Sequence, residues 1–328
     1  MLLHSHILSA RWFAVCSAFA ALHAFPARAA TATDFPTQPI KLVVVYQAGG
    51  ANDIVARVLA DRMSATIGQP VVVLNKPGAS GALGAQFVAN SPADGHTVLM
   101  GGMPLVVARA MYKTPPVDFE KSLAPVGKAV NLSMVLVARK AFPAQSFAET
   151  MALERKKPGS VSMAVTASTY EFYHARINKL AQVDILKVPY SGVPAAMQDL
   201  NGNRVDLLID TLAAQKPFIE SGTTKPLAVF GDRRLPDLPQ VPTLSELGLK
   251  GFNDQPYVGM LVPKATPQAA VQRLNQALNE ALVQPEVKNR MQTLGLTVAP
   301  GTPEEFLKEM KADSDRFVEV GLQAGIEK

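Results

Sequence analysis

The stretch KLVVVYQAGGANDIVARVLADRMSATIG, residues 41–68, decides the fold. It begins with an apolar run typical of a buried strand, passes through paired glycines, and continues as a helix that Gly68 and Pro70 end. The predicted apolar face of this helix consists of Ile54, Val55, Val58, Leu59 and Met63. A strand, a glycine-rich turn and a helix in this order predict a βαβ unit.

The same alternation of strand-like and helix-like runs continues along the chain. VVVL at 71–74 and HTVLMGG at 96–102 are predicted strands around a helix, and SMVLVAR at 133–139 opens a second series. That series ends near residue 231, and the proline-containing segment 232–252 is predicted to be a surface connection. Two helices close the chain, the second beginning at a capping box between Thr302 and Glu305. This pattern predicts an α/β protein with mainly parallel sheets flanked by helices.

Residues 1–29 are interpreted as a cleaved secretory signal. A mildly basic start precedes an apolar core shorter than a membrane span, and Ala27-Arg28-Ala29 fits a signal-peptidase site. A lipoprotein signal using Cys16 is a weaker alternative, because Val15 stands where a small residue is expected. Cleavage leaves roughly 300 residues, enough for two ordinary domains.

Composition excludes several kinds of chemistry. Cys16 is the chain's one cysteine, so the mature chain is expected to have no thiol nucleophile, disulfide or cysteine metal site. His96 and His174 are the histidines beyond the signal, and their separation offers no metal-ligand spacing. The net charge of +5 is spread without a basic run, which argues against nucleic acid. We expect no metal and no cofactor.

Three loops of one kind follow predicted strands: QAGGAND at 47–53, NKPGASG at 75–81 and TAST at 166–169. In open α/β sheets, ligands bind beyond the carboxyl ends of strands, where helix N-termini present unpaired N–H groups. None of the loops has the lysine of a phosphate-binding loop, so a small carboxylate fits better than a nucleotide. Alternatively, the glycines only turn the chain and Asp53 only caps a helix.

Catalytic candidates are weaker than binding candidates. Ser80 lacks the sequence context of a nucleophile and has only His96 or His174 as a possible base. Asp210 ends a predicted strand, where its carboxylate could accept an ammonium, amide or hydroxyl group, or could cap the following helix.

Longer motifs are similar to those of the Bug family of periplasmic solute receptors, which serve tripartite tricarboxylate transporters. The resemblance runs from about Pro36 to the C-terminus and rests on these stretches: PIKLVVVYQAGGANDIVAR, GQPVVVLNKPGASGALGAQFVANSPADGHTVL, VPYSGVPAAMQDLNGNRVDLLID, LPQVPTLSELGLKGF and PEVKNRMQTLGLTVAPGTPEEF.

The resemblance implies a two-lobed, type II-like periplasmic-binding-protein fold with the ligand cleft between lobes that close by hinge motion. Lobe one is expected at 33–135 plus 255–328, and lobe two at 136–254. Each lobe is expected to hold a mainly parallel sheet flanked by helices.

Site residues follow from the resemblance, position by position, on both lobes. They are Tyr46, Gly49, Gly50, Asn52, Asp53, Gly78, Ala79, Ser80, Gly81, Ala167, Ser168, Thr169, Glu171, Tyr190, Ser191 and Asp210.

Two stretches depart from the family pattern. Glu171 stands where the family usually has histidine, and 101–105 (GGMPL) replaces a Gly-Thr-rich stretch. If Glu171 faces the cleft, it disfavours a second carboxylate and welcomes a cation or N–H donor; if it faces outward, nothing follows.

The expected function is a periplasmic receptor without catalytic activity that captures a small metabolite for a tripartite tricarboxylate transporter. The ligand is expected to be an organic acid, an acidic amino acid or an aromatic acid, with an amide as a further option. The membrane subunits of the transporter are the expected partners of a monomeric protein. A secreted hydrolase or transferase and a ligand sensor that signals to a membrane protein are the alternatives.

Overall fold

The computed structural model describes residues 35–252, 255–323 and 325, so the predicted signal at 1–29 lies outside the described residues. Within these residues, strands and helices alternate along the chain as the sequence predicts. The strands are β1 (Ile40–Val44), β2 (Val71–Asn75), β3 (Thr97–Gly102), β4 (Leu123–Leu132), β5 (Met134–Arg139), β6 (Ser162–Val165), β7 (Leu186–Pro189), β8 (Leu207–Thr211), β9 (Thr224–Val229), β10 (Tyr257–Pro263) and β11 (Leu296–Val298). The helices are α1 (Ala51–Ile67), α2 (Ala82–Ala89), α3 (Met103–Met111), α4 (Phe119–Ser122), α5 (Phe147–Lys156), α6 (Ser168–Ala181), α7 (Val193–Asn201), α8 (Leu212–Glu220), α9 (Gln268–Val283), α10 (Pro285–Thr293) and α11 (Pro303–Gln323).

The first sheet has the strand order β11-β4-β10-β3-β1-β2. β1 lies between β3 and the edge strand β2 and runs parallel to both, with Val44 opposite Asn75 on one side and Met100 on the other. The carboxyl ends of these three strands therefore lie at one edge of the sheet, and the loops that follow them meet there. β10 pairs antiparallel with both β3 and β4, and β11 pairs antiparallel with β4.

The second sheet has the order β7-β6-β8-β5-β9. β6 runs parallel to β7 and β8, whereas β5 pairs antiparallel with β8 and β9. The α/β architecture of two helix-flanked sheets is confirmed, but each sheet is mixed. Parallel pairing is confined to β2-β1-β3 and β7-β6-β8, so the expectation of mainly parallel sheets needs this correction. Hydrophobic runs alone do not distinguish the two strand directions when a strand is buried on both faces.

The helix of the opening stretch forms as predicted. α1 buries Val55, Leu59 and Met63, and Gly68 ends it in the left-handed conformation, at φ 80°. The capping box of the last helix is also confirmed, because Glu305 N–H donates to Thr302 Oγ1 at 3.1 Å and Thr302 N–H donates to Glu305 Oε2 at 2.8 Å. No helix among the described residues is both long enough and apolar enough to cross a lipid bilayer.

Three helices, α3, α4 and α10, were not predicted from the sequence, so three helices and not two close the chain. Of these three, α3 lines the cavity described below. Its sequence, MPLVVARAM, follows directly from the last glycine of β3. It buries Met103, Val106, Val107, Ala108 and Ala110, so apolar residues occur on several of its faces. A short, nearly continuous apolar run has little periodic contrast, and periodicity therefore does not separate it from a strand.

Candidate functional site

A cavity of about 400 Å³ lies where the loops of the two sheets face each other. From the first sheet it is lined by the loops after β1 and β2 and by α3. From the second sheet it is lined by the starts of α6 and α7 and by the end of β8. Its volume is in the range of small-molecule sites, roughly 300–1,000 Å³.

Most of the site residues expected from the sequence lie at this cavity. The residues that line it are Tyr46, Gly50, Asn52, Gly78, Ala79, Ser80, Gly81, Ala167, Ser168, Thr169, Tyr190, Ser191 and Asp210. Gly49, Asp53 and Glu171 are not among its lining residues.

Asp53 holds the first loop in place through its carboxylate. The residue is 3% exposed, and its side chain accepts hydrogen bonds from Gly49 N–H, from two nitrogens of Arg57 and from Asn75 Nδ2, each at 2.9–3.0 Å. Asn75 Nδ2 also donates to the carbonyl oxygen of Tyr46 at 3.1 Å. Although burial raises the pKa of Asp53, the hydrogen bonds from Arg57, Gly49 and Asn75 outweigh it and hold that pKa below its ordinary value. Asp53 therefore positions the first loop.

The second loop has an unusual backbone conformation. Gly78, Ala79, Ser80 and Gly81 all have positive φ, at 132°, 47°, 53° and 94°. At Gly81 a side chain is also excluded by packing, because a Cβ there would lie 2.9 Å from Val45 Cγ2. Positive φ at non-glycine residues is uncommon and often occurs at functional sites. The result is a loop backbone that lies against the cavity.

Five helices begin at the cavity without a side-chain cap. Their N-cap residues are Gly50 for α1, Gly81 for α2, Gly102 for α3, Ala167 for α6 and Gly192 for α7. Thr211, which also lines the cavity, does cap α8, since Ala214 N–H donates to its Oγ1 at 3.3 Å. An uncapped helix start leaves backbone N–H donors without intrahelical acceptors and carries a partial positive charge. The cavity therefore presents several N–H groups to an anion.

Asp210 is the one carboxylate that lines the cavity among the described residues, and no lysine, arginine or histidine of that part of the chain lines it. Its side chain is buried and accepts hydrogen bonds from Thr211 N–H at 2.7 Å and Gln215 Nε2 at 2.9 Å. Burial raises the pKa of Asp210 to about 6 despite these two hydrogen bonds. Burial also raises the pKa of Tyr46. Burial, together with the nearby Asp210 and Tyr46, raises the pKa of Tyr170 well above its ordinary value, so the hydroxyls of Tyr46 and Tyr170 remain neutral.

Thr169 and Tyr190 differ in how their hydroxyls are satisfied. Thr169 is 4% exposed, and its Oγ1 has no hydrogen-bond partner within the described residues. The hydroxyl of Tyr190 donates to Asp199 at 2.7 Å; burial and this contact raise the pKa of Tyr190 to about 12. A buried hydroxyl without a partner costs free energy, which a bound ligand would recover. Thr169 is thus available to a ligand, whereas Tyr190 is already engaged.

Neither Glu171 nor the two described histidines, His96 and His174, line the cavity. Glu171 forms an ion pair with Lys187 on the partly exposed side of α6, so its side chain faces outward and not into the cavity. His174 is buried, its Nε2 donates to the carbonyl oxygen of Ile185 at 2.7 Å, and burial lowers its pKa. His96 packs against Phe35, with ring centroids 4.9 Å apart.

Sequence reasoning missed two groups of residues around the cavity. One is the pair Arg57 and Asn75 that holds Asp53; the i,i+4 spacing of Asp53 and Arg57 on one helix was an available signal. The other is the apolar side of the cavity, formed by α3 and the residues after it: Met103, Leu105, Ala108, Tyr112 and Val117. Predicting this second group would have required knowing that α3 is a helix and which of its side chains face the cavity, and the sequence pattern indicated neither.

Comparison with known proteins identifies relatives over most of the chain. The sequence matches the family described as "Tripartite tricarboxylate transporter family receptor" over residues 55–320. A UPF0065 protein from the tcbD-tcbE intergenic region of Pseudomonas sp. (strain P51) is 35% identical over 286 residues, which cover 86% of this chain and 85% of that protein.

Solved structures show the same fold. The periplasmic binding protein BugD is 34% identical with a TM-score of 0.85, over 90% of this chain and 100% of that chain. Rpa4515 of R. palustris, solved with adipate, is 32% identical with a TM-score of 0.84, over 89% of this chain and 99% of that chain.

Proposed function

The chain belongs to the family of tripartite tricarboxylate transporter receptors, and from this premise we propose that it captures a small carboxylate in the periplasm and delivers it to a tripartite transporter. The similar structures are a periplasmic binding protein and an adipate-bound protein. The ligand site is the cavity between the loops of the two sheets.

The observation that carries the proposal is the set of uncapped helix starts around a cavity that no described cationic side chain lines. A carboxylate there is held by backbone N–H groups and by the partial positive charge of the helix N-termini. The buried, unpartnered Oγ1 of Thr169 adds a hydroxyl donor at the start of α6.

We propose that lobe one, at 33–135 plus 255–328, is built on the first sheet and that lobe two, at 136–254, is built on the second. Met134 and Val135, which begin β5 of the second sheet, then belong to lobe one. The chain passes from the first sheet to the second at Ser133, between β4 and β5, and returns between β9 and β10. Gln47 and Gly192, from opposite sides of the cavity, are in contact distance: a Cβ at Gly192 would lie 3.1 Å from Gln47 Oε1. We propose that opening about the two crossings separates these loops and admits the ligand.

The receptor has no catalytic role in this proposal. Ser80 and Ser168 line the cavity, but neither described histidine does, and the described residues hold no cluster of potential metal ligands. Without a base beside them, these hydroxyls lack the activation that a serine nucleophile needs. The protein acts as a monomer, and the membrane subunits of the transporter are its partners.

Thermal unfolding in the presence of organic acids tests the function, with mass spectrometry of ligand recovered from the purified mature protein. A ligand at a hundred times its Kd stabilises the folded state by about 2.7 kcal/mol, which such an assay resolves. One or more acids should raise Tm and be recovered with unchanged mass. If no acid raises Tm, or if a bound acid is recovered chemically altered, the receptor function is wrong.

Gly50→Val locates the site. Gly50 has φ −78° and ψ 168°, which valine adopts, and the atom nearest to a new Cβ, Gln47 O, lies at an ordinary 3.6 Å. The variant should therefore fold normally but lose ligand binding, because valine occupies space at the start of α1. Gly50→Ala is the graded control and should weaken binding less. Unchanged affinity in Gly50→Val would place the site elsewhere.

A further inference from the structure

We propose that the ligand of this chain is a monocarboxylate with an apolar body. Its carboxylate lies at the polar end of the cavity, formed by the first turns of α1 and α6, and its body lies on the apolar wall formed by Met103, Leu105, Ala108, Tyr112 and Val117. This inference rests on the proposed function and narrows its substrate class.

The polar end combines the strongest donors. Ala51 and Asn52 of α1 and Ser168 and Thr169 of α6 line the cavity in the first turns of two uncapped helices. Thr169 is a second, independent feature of this end. The residue is only 4% exposed, and its Oγ1 has no hydrogen-bond partner among the described residues. Both helix starts line the same cavity.

The other helix starts are weaker anion sites. At the start of α2, the N–H of Ala82 already donates to the carbonyl oxygen of Ala79. α3 and α7 each have proline in the first turn, Pro104 and Pro194, and both prolines line the cavity. A proline has no N–H, so each of these starts lacks one of the donors that α1 and α6 provide. One region of the cavity therefore holds a carboxylate better than the rest.

The apolar wall is a feature of this sequence at the start of α3. Residues 101–105 read GGMPL, so Met103 and Leu105 line this part of the cavity and no hydroxyl-bearing side chain stands in the stretch. A ligand group on this wall exchanges water for methyl, methylene and aromatic carbon. A carboxylate placed there would lose its hydration without gaining a donor, which is unfavourable.

The charge at the cavity also favours a single carboxylate. Asp210 is a carboxylate at the cavity, and no described lysine, arginine or histidine lines the same cavity to neutralise it. A dicarboxylate would thus bring two negative charges to a site that already contains one, whereas a monocarboxylate brings one. Like charges in a partly desolvated site repel more strongly than they do in water.

Calorimetric titration at pH 7.5 with matched acids tests the inference. Hexanoate and adipate share a six-carbon chain, and benzoate and terephthalate share a ring, so each pair differs by one carboxylate. In each pair, we expect the monocarboxylate to bind with a Kd about tenfold lower, or lower still, than that of the dicarboxylate. If adipate and terephthalate bind as tightly as their partners or more tightly, the receptor function stands and the inference is wrong. If none of the four acids binds and the wider acid screen also fails, the receptor function itself is wrong.

Leu105→Asn tests the apolar wall, with Leu180→Asn as the matched control. Leu105 lines the cavity and is partly buried, whereas Leu180 is 47% exposed on α6 and does not line it. Leu105→Asn should weaken binding of the preferred monocarboxylate about tenfold. Leu180→Asn should leave it unchanged, and Tm without ligand reports whether each variant folds. Equal affinity in both variants would remove the apolar wall from the ligand site.

Discussion

Replacing Asp53 with asparagine should destabilise the protein and weaken ligand binding together. Both oxygens of the Asp53 carboxylate act as acceptors, and each accepts two hydrogen bonds. Gly49 N–H and Arg57 Nε donate to Oδ2, and Arg57 Nη2 and Asn75 Nδ2 donate to Oδ1. Asparagine keeps the shape but turns one oxygen into an NH₂ group. Whichever way the new amide is rotated, its NH₂ faces two donors.

The magnitude follows from which donors are buried. The Arg57 side chain is 55% exposed and can turn to water, so its hydrogen bonds contribute little to the loss. The NH₂ group and either Gly49 N–H or Asn75 Nδ2 remain without acceptors, at about 1–3 kcal/mol for each group. Rotating the Asn75 amide to accept would withdraw its donor from the Tyr46 carbonyl. We expect a net loss of about 2–4 kcal/mol in the free energy of unfolding.

Urea unfolding followed by far-UV circular dichroism measures this loss, since the chain's one tryptophan, Trp12, lies in the predicted signal. Arg57→Gln is the control and should destabilise the protein much less than Asp53→Asn does, because the Arg57 side chain is largely exposed. Hydrogen bonds hold the pKa of Asp53 below its ordinary value of 3.8, so the stabilisation is present above that pH and is lost as the pH falls through the folded-state pKa. The difference between wild type and Asp53→Asn should therefore narrow in acid. A loss under about 0.5 kcal/mol at pH 7 with normal ligand affinity would refute the role of Asp53.

Two further substitutions test the polar end of the cavity. Thr169→Val removes a buried, unpartnered hydroxyl, so it should leave the ligand-free protein as stable or up to about 1 kcal/mol more stable, yet weaken carboxylate binding about tenfold by calorimetry; loss of stability with unchanged affinity would contradict this. Burial raises the pKa of Asp210 to about 6, so raising the pH from 5.5 to 7.5 charges this carboxyl beside the ligand and should weaken anion binding, whereas Asp210→Asn should bind with an affinity independent of pH over this range. A variant that retains the wild-type pH dependence would assign the titration to another group.

The strand–loop–helix units and their loops could be predicted because the signals were local. The apolar stripe of α1, the left-handed Gly68 and the capping box at Thr302 each lie within a few residues of the element that they define. Glycine-rich loops after strands also indicated the position of the cavity, since parallel strand ends meet at one edge of a sheet.

Contacts between residues far apart in the sequence could not be predicted from local sequence patterns. Asp53 was expected at the ligand, but its partner Asn75 comes from the neighbouring strand, and only the sheet register brings the two together. The direction of Glu171 depended on Lys187 of β7, and the apolar wall depended on the register of α3. Each of these three features depends on a contact in the tertiary structure that local sequence patterns do not reveal.

The separation of these two sets of contacts explains how one scaffold can serve different acids. In the proposed complex, backbone N–H groups hold the carboxylate at the polar end, and any substitution except one by proline retains them. Asp53 fixes the first loop through its hydrogen bond from Gly49 N–H. Met103 and Leu105 line the cavity at the apolar wall, where we propose that the body of the ligand lies. Substitution there changes which body is accepted without removing a donor to the carboxylate. Specificity is therefore a difference between ligand bodies, which side chains of α3 can alter, whereas retention of an acid depends on the backbone.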